Sequence, residues 1–187
     1  MREVGSGSIL PACYHRPLSD RVDYKSMKIH VFCVGGTIDK IYFDAKSEYE
    51  VGAPAISKML KLIAVNLDIE VTSLMAKDSL DMTNEDRAII AAAVENSEAD
   101  KVIITHGTDT MPDTARSLSH LSQKTVVLTG ALAPAIFKDS DAMFNVGGAL
   151  ASVQAIKSGV FIFMNGELFD ANNVRKDVEN NCFVSLN

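Results

Sequence analysis

From residue 27 onward the chain alternates short apolar runs with longer stretches in which apolar positions recur every three or four residues. The runs at 28–34, 69–75, 101–105, 125–129 and 160–164 have the length and β-branched content of buried strands. Between the first two, Ile56, Met59, Leu60, Ile63 and Leu67 form one stripe at helical spacing behind Pro54, a residue suited to a first helical turn. Thr83 and Asp86 have capping-box spacing in front of the Ala-rich stretch Arg87 to Val94. Pro112 to Leu121 and Phe144 to Ile156 supply two further helices, the second carrying Gly147, Gly148, Ala149 and Ala151, small enough for close packing on a sheet. Alternation of this kind predicts an α/β fold, a doubly wound and mostly parallel sheet flanked by helices.

Residues 1–26 break the pattern with Gly-Ser-Gly-Ser, Pro11, Pro17 and scattered charges, and read as a flexible N-terminal extension. They hold no apolar stretch long enough for a signal peptide or a membrane span. Residues 27–187 read as a single α/β domain, and Met27 offers an alternative start. With 187 residues, 47% hydrophobic and 22% charged, the chain can bury a real core as one domain. A net charge of -6 leaves no electrostatic footprint for nucleic acid. His15, His30, His106 and His120 lack metal-ligand spacing, so neither a metal nor another cofactor is expected. Cys13, Cys33 and Cys182 form no disulfide framework, which points to a reducing, cytoplasmic setting, with Cys33 as core filler.

Candidate chemistry gathers where the strands end. Thr37 follows the first strand, Ser79 the second, Thr108 and Asp109 the third and Gly130 the fourth, while Lys176 lies beyond the fifth. In a parallel α/β sheet all of these belong to the carboxyl edge, where such folds bind ligands. Gly35-Gly36-Thr37-Ile38 places a hydroxyl on a turn whose glycines let the backbone bend and a ligand approach. His106-Gly107-Thr108-Asp109-Thr110-Met111 sets a hydroxyl beside a carboxylate just before a helix start. Gly35-Gly36-Thr37 satisfies neither the dinucleotide fingerprint nor a phosphate loop. His106, ahead of Gly107, suggests a structural role at a strand end. Lys138-Asp139-Ser140-Asp141 reads as a solvated loop with one helix-capping group.

These two motifs, in this order, resemble the two threonine motifs of the bacterial-type L-asparaginases, and the resemblance runs over roughly the whole chain after Met27. It implies an asparaginase N-terminal-domain-like fold and an amidohydrolase acting on L-asparagine. Thr37 stands where the family has its nucleophile. Thr108, Asp109 and Lys176, the last in Asn173-Val174-Arg175-Lys176, stand where it has a hydrogen-bonded triad. Asp78-Ser79-Leu80-Asp81-Met82 resembles the segment whose serine holds the substrate α-carboxylate, and Asp109 would hold its α-ammonium. Asp78, Gly36 and Gly107 complete the expected substrate-binding set. Thr125 to Ala131, Asp141 and Asn145 are also family-like and are read as scaffold.

The implied mechanism is covalent: Thr37 attacks the amide carbon, ammonia leaves, and water releases aspartate. The family's usual partner for the nucleophile is a tyrosine, and both Tyr42 and Tyr49 lie in the loop after the first strand. Lys176 would shuttle a proton if burial lowers its pKa, oriented by Asp109, and the Thr108 backbone N–H would stabilise the oxyanion. Full-length members carry a second, smaller domain, so the expectation is a short single-domain relative. A homodimer is expected to replace what that domain supplies, through the Ser47 to Glu50 loop or the tail after Lys176. Two other readings stay open: another small carboxamide such as glutamine as substrate, or a non-catalytic aspartate- or asparagine-binding module.

Overall fold

The structure, a computed structural model, describes residues 27–43, 48–63 and 65–186. The expected extension over 1–26 lies outside the described residues, as does Ser47. In chain order the elements are β1 (Lys28–Gly35), β2 (Lys40–Phe43), β3 (Glu48–Val51), α1 (Ile56–Leu62), β4 (Asp68–Lys77), α2 (Asn84–Asn96) and β5 (Lys101–Thr105). They continue with α3 (Met111–Ser117), β6 (Thr125–Thr129), α4 (Ala142–Ala155), β7 (Gly159–Met164), β8 (Glu167–Asp170), β9 (Val174–Asp177) and β10 (Cys182–Ser185).

Six strands form one sheet in the order β4-β1-β5-β6-β7-β8, parallel throughout except for the β7–β8 pair. The chain leaves β1 toward β4 on one side and returns through α2 to β5 on the other. The carboxyl ends of β1 and β5 therefore flank the point where strand order reverses, the crevice in which doubly wound sheets bind ligands.

Side-chain alternation along the strands builds a core on each face. Phe32, Val102, Ile104, Val126 and Leu128 pack with Ile90, Val94, Ala115 and Leu118 of α2 and α3 and their flanks. Their neighbours Val31, Cys33, Ile103 and Val127 pack with Ile56, Met59, Val146 and Val153 of α1 and α4. Strands buried on both faces read as continuous apolar runs, which is why the pattern locates them.

The helices start where polar chemistry lets them. The α2 capping box forms as expected: the Thr83 hydroxyl accepts from the Asp86 amide at 3.2 Å, and Asp86 accepts from the Thr83 amide at 2.8 Å. α1 stops at Leu62, so Ile63 is its cap and Leu67 lies beyond it. On α4, Gly148 lets Phe163 approach to where a Cβ would sit 1.9 Å from the ring, whereas Gly147 has nothing within 4 Å. The group at the start of α4 is Ser140, whose hydroxyl accepts from the Ala142 amide at 3.1 Å. Asp141 turns away to take the amides of Leu132 and Ala133 at 3.0 and 3.1 Å and the Asn145 side chain at 2.8 Å. This pins the loop after β6.

Two hairpins, β2–β3 and β9–β10, and the strand β8 are additional to the expected elements. Among the described residues no helix is long and apolar enough to cross a membrane.

Candidate active site

Glycine contacts bring the loops of the sheet edge together. Gly36 adopts φ 90° and ψ -172°, a region open essentially to glycine alone. A Cβ on Gly36 would lie 2.3 Å from both Cα and N of Gly107, so the two turns meet backbone to backbone one residue ahead of Thr37 and of Thr108. A Cβ on Gly107 would in turn lie 2.6 Å from the Ser79 Cβ. The turns after β1, β5 and β4 thereby meet, with Gly107 touching both of the others. Thr110 secures the third member: its hydroxyl donates to the Ser79 carbonyl at 2.7 Å.

Lys176 arrives from the opposite end of the sequence. Its ammonium donates to the Thr108 hydroxyl at 2.8 Å and to Asp109 Oδ1 at 2.5 Å. The lysine side chain is only 9% exposed and Asp109 is 39% exposed, so the carboxylate faces solvent while the cation is enclosed. The β9–β10 hairpin places the lysine. Arg116 of α3 donates to the Val174 carbonyl at 3.2 Å, the Asn165 side chain accepts from the Phe183 amide at 3.1 Å, and Phe183 is buried in the core.

Thr37 is half-buried on a cavity of about 300 Å³ that it shares with Lys40, Tyr49, Pro134 and Phe137. Tyr42 faces Tyr49 across the β2–β3 ladder, with ring centroids 5.5 Å apart and edge-on, and is not part of that cavity wall. Tyr49 also meets Phe137 edge-on at 6.0 Å. Of the two tyrosines, Tyr49 is the one that shares a cavity with Thr37.

Asp78 is placed beside the site with its carboxylate already engaged. Oδ2 pairs with Lys40 at 2.7 Å and Oδ1 accepts from the Leu80 amide at 3.2 Å, which holds its pKa below the usual carboxylate value. The ion pair ties the segment after Thr37 to the turn that carries Ser79. His106 is fully buried and neutral, its pKa pushed down to about 4 by burial. One ring nitrogen donates to the Gly107 carbonyl at 2.7 Å and the other accepts from the Thr114 hydroxyl at 2.9 Å, bracing the turn ahead of Thr108.

Sequence reasoning missed Lys40, Thr110 and Phe137. Lys40 and Thr110 sit within or directly after the two motifs, so adjacency was the available signal, whereas Phe137 lies in an irregular loop with no periodicity to mark it.

A family model described as the N-terminal domain of asparaginase matches residues 28–186. The chain is 32% identical over 159 residues to a probable periplasmic L-asparaginase of Haemophilus influenzae, covering 79% of this chain and 46% of that protein. It is 28% identical to one component of the glutamyl-tRNA(Gln) amidotransferase of Methanococcus maripaludis, covering 82% of this chain and 38% of the relative. Among solved structures, the thermostable L-asparaginase of Thermococcus kodakarensis superposes with a TM-score of 0.75 at 28% identity, over 86% of this chain and 52% of that one. The chain thus spans about half, or less, of the length of these relatives.

Proposed function

Because this chain belongs to the asparaginase family, matching its N-terminal domain, we propose that it is an amidohydrolase that converts L-asparagine to L-aspartate and ammonia through a threonine acyl-enzyme. The observation that carries this reading is the enclosed Lys176 ammonium bonded to both Thr108 and Asp109. A binding site for an amino acid has no need to bury a lysine on a hydroxyl.

In this reading the Thr37 hydroxyl attacks the side-chain amide carbon, and its proton passes to the departing nitrogen, which leaves as ammonia. Water then cleaves the Thr37 ester, giving the free carboxylate and restoring the hydroxyl. Tyr49 assists Thr37, supported by their common cavity. Thr108 and Lys176 move the proton for the water step, with Asp109 holding the lysine. Ser79 receives the substrate α-carboxylate, and the second oxygen of the half-exposed Asp109 receives the α-ammonium. Gly36 and Gly107 let the turns that carry Thr37, Thr108 and Ser79 close on one another. Asp78 acts through Lys40, by fixing the turns, rather than on the substrate.

Glutamine is the second substrate to test, since a relative 28% identical is named a glutaminase-asparaginase. The exposed Tyr42, Tyr49 and Phe137 give a homodimer an apolar surface next to the site; sedimentation as a monomer at all concentrations would remove that part. A cytoplasmic setting rests on the two described cysteines, Cys33 and Cys182, being unpaired thiols. The deciding experiment is ammonia release from L-asparagine and L-glutamine by the parent chain, Thr37→Ala and Thr108→Ala. Activity lost in both variants supports the two-threonine reading, and activity surviving Thr37→Ala overturns it.

A further inference from the structure

Behind the Thr37 turn lies a second cavity that this chemistry does not use. It is a half-open hollow of about 240 Å³ between the turn, α1, the loop after β6 and the start of α4. Ile38 and Met59 give it a buried apolar floor, and the exposed Leu62, Ile136 and Met143 an apolar rim. Sites for drug-sized ligands run to roughly 300–1,000 Å³. This one is sized for a small metabolite with a compact apolar body.

Three charged residues, Asp39, Lys40 and Lys58, interrupt the wall. Asp39 lines the cavity and is 3% exposed. Its Oδ1 accepts from the Ala55 amide at 2.8 Å, and among the described residues no donor reaches Oδ2. A buried carboxylate without a counter-charge is expensive, and burial pushes the Asp39 pKa up to about 6. The charged and titratable groups around it do not relieve this. Lys40 is committed to Asp78, Lys58 of α1 is exposed on the cavity lining, and Cys33 on β1 is a buried thiol held neutral. A largely apolar hollow with one buried, uncompensated carboxylate is the complement of an ammonium on an aliphatic body.

We propose that this cavity is a second ligand site, selective for small primary amines with a branched aliphatic body whose ammonium docks on Asp39. Two sources share that chemistry: a simple alkylamine, or an apolar α-amino acid whose carboxylate meets Lys58. The site adjoins the nucleophile turn directly. The Asp39 amide donates to the Gly36 carbonyl at 3.1 Å, and its own carbonyl accepts from the Gly52 amide at 2.8 Å.

The chain contains no tryptophan, so Leu62→Trp at the cavity lining, where the side chain is 80% exposed, introduces a single reporter. Isoamylamine, isoamyl alcohol and L-leucine are titrated against its fluorescence at pH 7.5 and pH 5. Expected is a saturable response to isoamylamine about tenfold tighter than to the alcohol, weakening at pH 5 as Asp39 takes up a proton. Adding Asp39→Asn keeps the acceptor for Ala55 and removes the preference for amine over alcohol, while the surviving alcohol response reports an intact cavity. Leucine binding at least as tightly as isoamylamine, and about tenfold more weakly after Lys58→Met, assigns the amino acid; leucine binding more weakly than isoamylamine assigns the simple amine. No saturable response to isoamylamine or leucine overturns the proposal, as does an amine preference that persists in Asp39→Asn. A response abolished by Thr37→Ala also overturns it, by placing the probe in the reaction site. None of these readouts depends on ammonia release, so failure of the hydrolase reading leaves the outcome interpretable.

Discussion

Gly36→Ala is the sharpest test of the idea that direct backbone contact sets the spacing of the two threonine turns. Alanine at φ 90° and ψ -172° is strained by about 1–3 kcal/mol. Its Cβ would stand 2.3 Å from Gly107 Cα and N and 2.9 Å from the His106 carbonyl carbon. Non-bonded carbons rest at about 3.5–4.0 Å, so the turns must part by roughly 1 Å or more. Neither side can yield by a rotamer change, because the opposing atoms are backbone, and overpacking of this kind adds about 1–3 kcal/mol. Together the two effects lower Tm by on the order of 10 °C for a chain of this size. A 1 Å shift between catalytic groups costs about 10²-fold in rate, so kcat/KM for ammonia release falls by that order even in the folded fraction. Gly147→Ala is the matched control, since nothing lies within 4 Å of the added Cβ. Removing a helical glycine there stabilises by about 0.4–1 kcal/mol and leaves turnover unchanged. Thermal melts by circular dichroism and ammonia release on both variants decide the matter. A Gly36→Ala protein that melts and turns over like its parent refutes the contact.

Lys176→Met removes the donor to Thr108 and Asp109 and lowers ammonia release by about 10²–10⁴-fold. The fold survives it with a loss of about 1–3 kcal/mol, since Asp109 is open to water and only the buried Thr108 hydroxyl loses its partner; parental activity with a parental far-UV spectrum would exclude a catalytic role. Asp39 titrates near 6 in the folded chain against its ordinary 3.8, so it favours folding fully below pH 3.8 and that contribution is lost as pH rises through 6. Asp39→Asn is accordingly more stable than the parent at pH 7.5 and no more stable at pH 3.5 in urea titrations, and an equal offset at both pH values would contradict the shift. His106 acts in the opposite sense: with a folded value of about 4 against 6.5, its contribution is present above pH 6.5 and is lost as pH falls through 4. Removing Thr114's hydroxyl with Thr114→Val leaves the imidazole without its donor and costs about 1–3 kcal/mol at pH 7, read as a drop in the urea midpoint. Burial raises the Cys33 thiol to about 11, so iodoacetamide at pH 8 labels Cys33 only after unfolding, as peptide mass mapping will report.

The five parallel strands were legible within one or two residues: β1, β5 and β6 are buried on both faces, which forces an uninterrupted apolar run, while β4 and β7 keep enough β-branched and aromatic residues to mark them. The hairpins were not. β2 carries Ile41, Tyr42 and Phe43 all exposed, and β9 is a Val-Arg-Lys-Asp segment with no alternation for a period-two pattern to catch. The stripe that continued α1 to Leu67 was periodic but not helical: Leu67 packs against the same core from beyond the helix end. At the candidate site, motif resemblance pointed to Thr37, Thr108, Asp109 and Lys176, and the structure brings the last three into hydrogen-bond contact. What sequence could not supply was the Gly36–Gly107–Ser79 stack and the commitment of Asp78 to Lys40, both of which depend on which strands become neighbours. The choice between Tyr42 and Tyr49 was open for the same reason, since the β2–β3 register sets the two rings side by side and only the fold shows that Tyr49 lines the Thr37 cavity.

The β9–β10 hairpin also sets an order of events during folding. Lys176 contacts partners 67 and 68 positions earlier, and its hairpin is held by α3 and by the turn between β7 and β8. Both partners sit on the loop after β5, so the lysine can dock only once that strand and its loop are in place. A chain can therefore assemble its parallel sheet, and show nearly all of its native circular dichroism, while Thr108 and Asp109 still lack their cation. Regain of turnover then trails regain of secondary structure, and the lag measures how long the hairpin takes to dock.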